Sequence, residues 1–201
     1  MGPCNIKLAY GIVLMIGSID FGLYGIYPSP TGDSIRSEHH LKDTSIQWVL
    51  YSSISFLAAI FGSFVAKLIL AKFNGSRKMT VFIIDCIAMA SWLLNSLTKL
   101  SIIAGIFMRV LCGISMGSFM TICTMYLVEI APEGYSGVLG SFGNFGIVIG
   151  NDLFCILGPY LNFMELNYVG AGISALHGIL IWFIEESYLQ QSVQLACLSL
   201  L

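Results

Sequence analysis

Leu100-Ser-Ile-Ile-Ala-Gly-Ile-Phe-Met-Arg109-Val-Leu-Cys-Gly113-Ile-Ser-Met-Gly117-Ser-Phe-Met-Thr-Ile-Cys-Thr-Met-Tyr126-Leu-Val128 is followed by the polar Glu129-Ile-Ala-Pro132-Glu-Gly-Tyr-Ser136. A second apolar run then begins, Gly137-Val-Leu-Gly-Ser-Phe-Gly-Asn144-Phe-Gly-Ile-Val-Ile-Gly150, and continues to Gly158. Each run reaches the roughly 20 residues that an α-helix needs to cross the hydrocarbon of a bilayer. Eight residues with Pro, Gly and two acids cannot stay in lipid, so they turn the chain back. The stretch reads as a transmembrane hairpin.

The same pattern extends in both directions. Apolar segments at Leu8–Tyr27, Ile46–Ala71, Met79–Leu97, Leu100–Val128, Gly137–Gly158 and Leu166–Ile184 make six predicted spans. Composition agrees: of 201 residues 57% are hydrophobic and only 10% charged, against about 25% charged in a soluble domain. Mean hydropathy is +0.86. The fold class expected is therefore an all-α membrane protein with six transmembrane helices. A net charge of −2 offers no basic face, so nucleic acid is excluded as a partner. The longest connection, Pro28–Ser45, carries Asp33, Arg36, Glu38, His39, His40, Lys42 and Asp43 and reads as an aqueous loop.

Basic residues orient the spans. Lys72, Arg77 and Lys78 crowd the turn between spans two and three, with Lys67 just before it, which makes that turn cytoplasmic by the positive-inside rule. Both termini are then cytoplasmic. Gly137, Gly140, Gly143, Gly146 and Gly150, with Gly113-xxx-Gly117 in span four, strip side chains from helix faces and let backbones approach closely. The six cysteines form no CxxC pair and have no histidine at ligand spacing, so no metal and no disulfide framework is expected. No nucleophile elbow, Walker loop or metalloprotease motif is present, and neither enzyme activity nor a cofactor is expected.

Ionisable groups at membrane depth are costly and mark sites by default. Asp20 falls late in span one, Arg109 within span four, Asp85 early in span three, Asp152 late in span five and His177 within span six. A buried guanidinium needs an acidic or carbonyl partner, and Asp20 matches Arg109 in depth. Such a pair would either line a path or tie two spans together. Asp85 is expected to reach water near the cytoplasmic end, Asp152 to reach outer water, and His177 to be a hydrogen-bonded bundle residue. Asn144, mid-span on the glycine-rich helix, offers donors and acceptors to a hydroxyl-rich ligand.

Tyr126-Leu-Val-Glu129-Ile-Ala-Pro132-Glu-Gly-Tyr-Ser136-Gly137 resembles the Y-x-x-E-x-[AS]-P-x-x-x-R-G signature of the sugar porters in the major facilitator superfamily. Gly137 to Gly150 is similar to that family's fifth helix, Arg109-Val-Leu-Cys-Gly113-Ile-Ser-Met-Gly117 to its fourth, and Phe21-Gly22 with Tyr27-Pro-Ser-Pro30 to its first. The resemblance implies one six-helix half of the major-facilitator fold, residues 1–189 with a short tail at 190–201, built as two inverted three-helix repeats. It implies Asn144 in the place of a sugar-binding glutamine. Tyr24, which stands where proton-coupled members carry an aspartate, joins it as a substrate-binding residue. Asp20 and Arg109 form the implied ion pair, and Glu129 with Arg77 or Lys78 the implied cytoplasmic gate. Three family features differ: Lys72 stands near the missing Asp-Arg of the loop between spans two and three, Ser136 replaces the arginine of the R-G pair, and Glu186-Ser187-Tyr188-Leu189 lacks both prolines and the arginine of the motif after span six.

The expected function is passage of a small polar solute, a sugar, by alternating access, as half of a twelve-helix carrier. The expected partners are the sugar, the lipid bilayer, and a second six-helix half or another copy of the chain, in the plasma membrane rather than an internal one. The other reading is a truncated, non-transporting relative that acts as an interaction or regulatory subunit.

Overall fold

The structure is a computed structural model that describes residues 3–132 and 134–184, with side chains from Ile6 onward. Seven α-helices follow in order: α1 (Pro3–Ile26), α2 (Pro28–Glu38), α3 (Ile46–Lys72), α4 (Arg77–Asn95), α5 (Ile102–Ile130), α6 (Ser136–Leu157) and α7 (Phe163–Leu180). Single 3-10 turns extend α4 (Ser96–Lys99) and α7 (Ile181–Phe183). Six of the helices are long and apolar enough to cross a membrane. The Gly137–Gly158 and Leu100–Val128 spans each appear within two residues of the expected ends. The tail at 190–201 and the Glu186–Leu189 motif lie outside the described residues.

Local chemistry sets the helix ends. Ser76 accepts from the Met79 amide to cap α4, and Asn162 with Glu165 forms a capping box on α7. Asn74 and Gly75 both take positive φ, 52° and 81°, which turns the chain sharply between α3 and α4. One expectation is corrected here. The Pro28–Ser45 connection is not simply an aqueous loop, because Pro28 opens the helix α2. A proline at the first helical position gives up only an amide that has no intrahelical partner. One side of α2 buries Thr31, Gly32 and Ile35 over the outer end of the bundle, while Asp33, Ser34 and Ser37 stay exposed.

Packing divides the bundle into two three-span repeats, α1-α3-α4 and α5-α6-α7. The two most extensive interfaces, α3 on α5 and α1 on α6, exchange when one repeat is mapped onto the other, and α4 packs on α7, its own counterpart. Glycine makes both large interfaces possible. A methyl group on Gly113 or Gly117 would run into the backbone carbonyl of Ser55 or Ala59, and one on Gly146 or Gly150 into that of Met15 or Ile19. The stripe expected on span five is narrower than its sequence: Gly137 meets nothing within 4 Å, and Gly140 and Gly143 meet only side chains at ordinary contact.

Candidate functional site

Polar side chains gather at three levels of the bundle. At the end of the bundle that carries the α3–α4 turn, Arg77 opens α4 and Glu129 stands in the last turn of α5. Arg77 Nη2 donates to Glu129 Oε1 at 3.0 Å, and Arg77 Nη1 to the Gly75 carbonyl at 2.9 Å. The side chains are 15% and 11% exposed. Arg77 Nε and Glu129 Oε2 are buried without a partner, so the pair is held by one contact. The Lys78 ammonium donates to the Trp182 carbonyl at 3.1 Å and lies 5.8 Å from the Trp182 ring centre, because one residue further along α4 its stem points toward α7. Ser136 is exposed at the start of α6 and makes no tie to Glu129.

At the level nearest the opposite end of the bundle Arg109 is completely buried. Its Nη2 donates to the Tyr24 carbonyl at 3.2 Å and its Nε to the Tyr51 carbonyl at 3.4 Å, with the Tyr27 and Tyr51 rings 5.5 and 5.7 Å from its Cζ. Aromatic faces and carbonyl oxygens thus carry a charge that was expected to meet a carboxylate. The Asp20–Arg109 ion pair is not formed. Asp20 is one turn before Tyr24 on α1 but is rotated toward α4 and α7, where both of its oxygens are taken. Depth matched the two residues; rotation about the helix axis separates them. Nearby, Asn95 Nδ2 donates to Asn167 Oδ1 at 3.0 Å, an amide tie between α4 and α7.

Between these levels lies the densest polar cluster. Trp92 Nε1 donates to Asp20 Oδ1 at 2.8 Å and Ser174 Oγ to Asp20 Oδ2 at 2.6 Å. His177 Nδ1 stands 2.9 Å from both oxygens of Asp85. The cluster therefore joins α1, α4 and α7. Asp85 was expected to reach water, yet it is buried because His177 meets it from the facing helix. A hydrogen-bonded acid–imidazole pair is one way a membrane interior holds such groups.

The two residues expected to bind substrate are not brought together. Tyr24 is buried, stacked on Trp92 with ring centres 4.2 Å apart and planes within 7°, and its hydroxyl donates to the Ala88 carbonyl at 3.0 Å. It has no open side to offer a solute in this structure. Asn144 is exposed, on a face of α6 that also shows Gly137 and Ser141. Asp152 is exposed five residues before the end of α6.

Sequence reading missed Trp92, Ser174, Asn95 and Asn167 as parts of the polar interior. The signal was present for the asparagines, which interrupt apolar runs, and absent for Trp92, an ordinary span residue until Asp20 faces it. Among the described residues no group of three His, Cys, Asp or Glu is placed to hold a metal ion.

The chain matches the family described as "Sugar (and other) transporter" over residues 12–194. Sugar transporter ERD6-like 16 of Arabidopsis thaliana is 28% identical over 177 residues, which cover 87% of this chain and 35% of that protein. The facilitated trehalose transporter Tret1 of Bombyx mori is 24% identical over 200 residues, covering 92% and 37% respectively. Among solved structures, a partially occluded inward-open conformation of the xylose transporter XylE from E. coli superposes with a TM-score of 0.82 at 17% identity, over 94% of this chain and 51% of that one. An inward-open conformation of XylE gives 0.77 at 18% identity, over 90% of this chain and 48% of that one. The chain spans about a third of the length of the transporters it matches in sequence. With six apolar helices in this arrangement and a family match along nearly its whole length, the chain is an integral, multi-pass membrane protein that belongs to the sugar transporter family of the major facilitator superfamily and has the fold of that superfamily's N-terminal half.

Proposed function

We propose that the chain serves the passage of a small polar solute, a sugar, across a bilayer by alternating access, working with a second six-helix half or a second copy of itself. In this mechanism two helical bodies rock about a site near the midplane. The observation that carries the reading is the Arg77–Glu129 contact, which ties the first repeat to the second at one membrane face. A gate must hold in one state and release in the other. A single charge-assisted hydrogen bond with spare polar atoms on both partners suits that task, since its net worth is modest. Asn144 supports the same reading, because its amide stands on an open helix face and can both donate to and accept from sugar hydroxyls.

The cluster of Lys72, Arg77 and Lys78 supports a cytoplasmic location for that gate, and with it cytoplasmic termini in a plasma membrane. Residues 1–189 would then form the transporter half and 190–201 a tail. The test is uptake of labelled hexose into liposomes that contain the purified chain. Flux above empty vesicles, reduced at least tenfold by Asn144→Ala, is the expected result. Flux equal to empty vesicles removes autonomous transport and favours an interaction subunit. Undiminished flux in the variant removes Asn144 from the site.

A further inference from the structure

We propose that Asp20, Asp85 and His177 form an internal proton-binding site, in which a proton enters and leaves at Asp20 while the Asp85–His177 pair stays intact. The site is separate from the cytoplasmic gate and from Asn144. Its use as a coupling site rests on the transport reading above; the binding of the proton does not.

Three observations carry it. The first is charge balance. Two carboxylates and one imidazole are buried together, and the other groups that face them do not neutralise the excess. On α1, Tyr24 is turned to Trp92 and the Ala88 carbonyl. On α5, Arg109 is committed to the Tyr24 and Tyr51 carbonyls, and Cys112 and Cys123 are buried thiols. Among the described residues α6 turns no titratable side chain inward, since Asp152 and Cys155 are exposed. On α3 the nearest such group is Tyr51, beside Arg109. One proton held between Asp85 and His177 makes that pair neutral and leaves Asp20 with only the neutral donors Trp92 and Ser174. In an apolar interior that remaining charge is relieved most directly by a proton.

The second observation is that Asp20 is satisfied in both protonation states without any helix moving. Ser174 Oγ is 2.6 Å from Asp20 Oδ2 and 3.1 Å from the Gly170 carbonyl, but it has one hydrogen to give. With Asp20 ionised, the hydroxyl donates to Oδ2. With the proton on Oδ2, Asp20 donates to Ser174, and the hydroxyl rotates to donate to Gly170. The Trp92 indole donates to Oδ1 in either state.

The third is contiguity. A cavity of about 10 Å³, the room of roughly one water, is lined by Asp20, Asp85, Ser115 and Gly17. The imidazole lies against the same wall: a methyl group on Gly17, one turn before Asp20, would sit 2.6 Å from His177 Cε1. Its Nε2 is buried without a partner.

Trp92 is a built-in reporter, since its indole touches Asp20 directly. The experiment is a pH titration of Trp92 fluorescence in detergent-solubilised chain carrying Trp48→Phe and Trp182→Phe, with circular dichroism confirming the fold at each pH. One sigmoidal step is expected. Asp20→Asn, which keeps the acceptor for Trp92, abolishes it. Ser174→Ala moves its midpoint by about one pH unit or more, and so does His177→Gln. A flat titration, or a step that survives Asp20→Asn with its midpoint unchanged, overturns the proposal. If Asp20→Asn fails to fold, an unmoved step in Ser174→Ala overturns it equally. None of these readings depends on sugar flux, so failure of the transport reading leaves them intact.

Discussion

Among the described residues two acid–base contacts join the spans, Arg77–Glu129 at the end near the α3–α4 turn and Asp85–His177 inside. They differ in almost every respect that matters to energy. The interior imidazole lies within 2.9 Å of both carboxylate oxygens and is fully buried. The terminal guanidinium makes one contact at 3.0 Å, leaves polar atoms unpaired on both partners, and is part-exposed. Removing one member of a buried pair strands a charge where nothing can solvate it. Removing one member near water strands a group that water can reach. The contrast separates holding the bundle together from tying it shut.

The contrast can be broken at several points. His177→Ala leaves Asp85 uncompensated and opens a hole beside Phe119, whose ring packs edge-on at 5.4 Å. It is expected to cost about 3–5 kcal/mol in reversible SDS unfolding. Trp92→Phe keeps the stack on Tyr24 and removes a donor from Asp20, at an expected cost of about 1–3 kcal/mol by the same measurement. Glu129→Gln keeps the shape of the contact and weakens the tie to Arg77, so about 1 kcal/mol is expected. Its larger effect is on conformation, seen as faster hydrogen exchange at the starts of α4 and α6 by mass spectrometry. Lys78→Met removes an exposed ammonium that donates to the Trp182 carbonyl and lies over its ring, and a stability change within about 0.5 kcal/mol is expected. A cost above about 2 kcal/mol for Lys78→Met would show that it supports the Arg77–Glu129 contact.

The same contrast explains what was legible in the sequence. The six spans were visible because an apolar run of membrane length has few other fates. The terminal pair was visible because Glu129 and Arg77 sit in loop-flanking motifs whose partners are fixed by the resemblance. The interior was harder. Position along a span gives depth but not rotation about the helix axis, and that is why Asp20 was matched to Arg109. Rotation is decided by packing, which here follows the glycines: Gly146 and Gly150 draw α6 onto α1, leaving the Asp20 side of α1 to α4 and α7. The pairing of Asp85 with His177 likewise depends on α4 meeting α7, a contact between spans far apart in the chain. Asn144 was visible as a mid-span amide; the exposed face around it could be seen only in three dimensions.

The most direct test of the contrast is a pair of double-mutant cycles in reversible SDS unfolding, one for Asp85 with His177 and one for Arg77 with Glu129. Coupling of about 2–3 kcal/mol for Asp85 with His177 and about 1 kcal/mol or less for Arg77 with Glu129 is the predicted result. Equal couplings, or a stronger one for Arg77 with Glu129, would contradict the account.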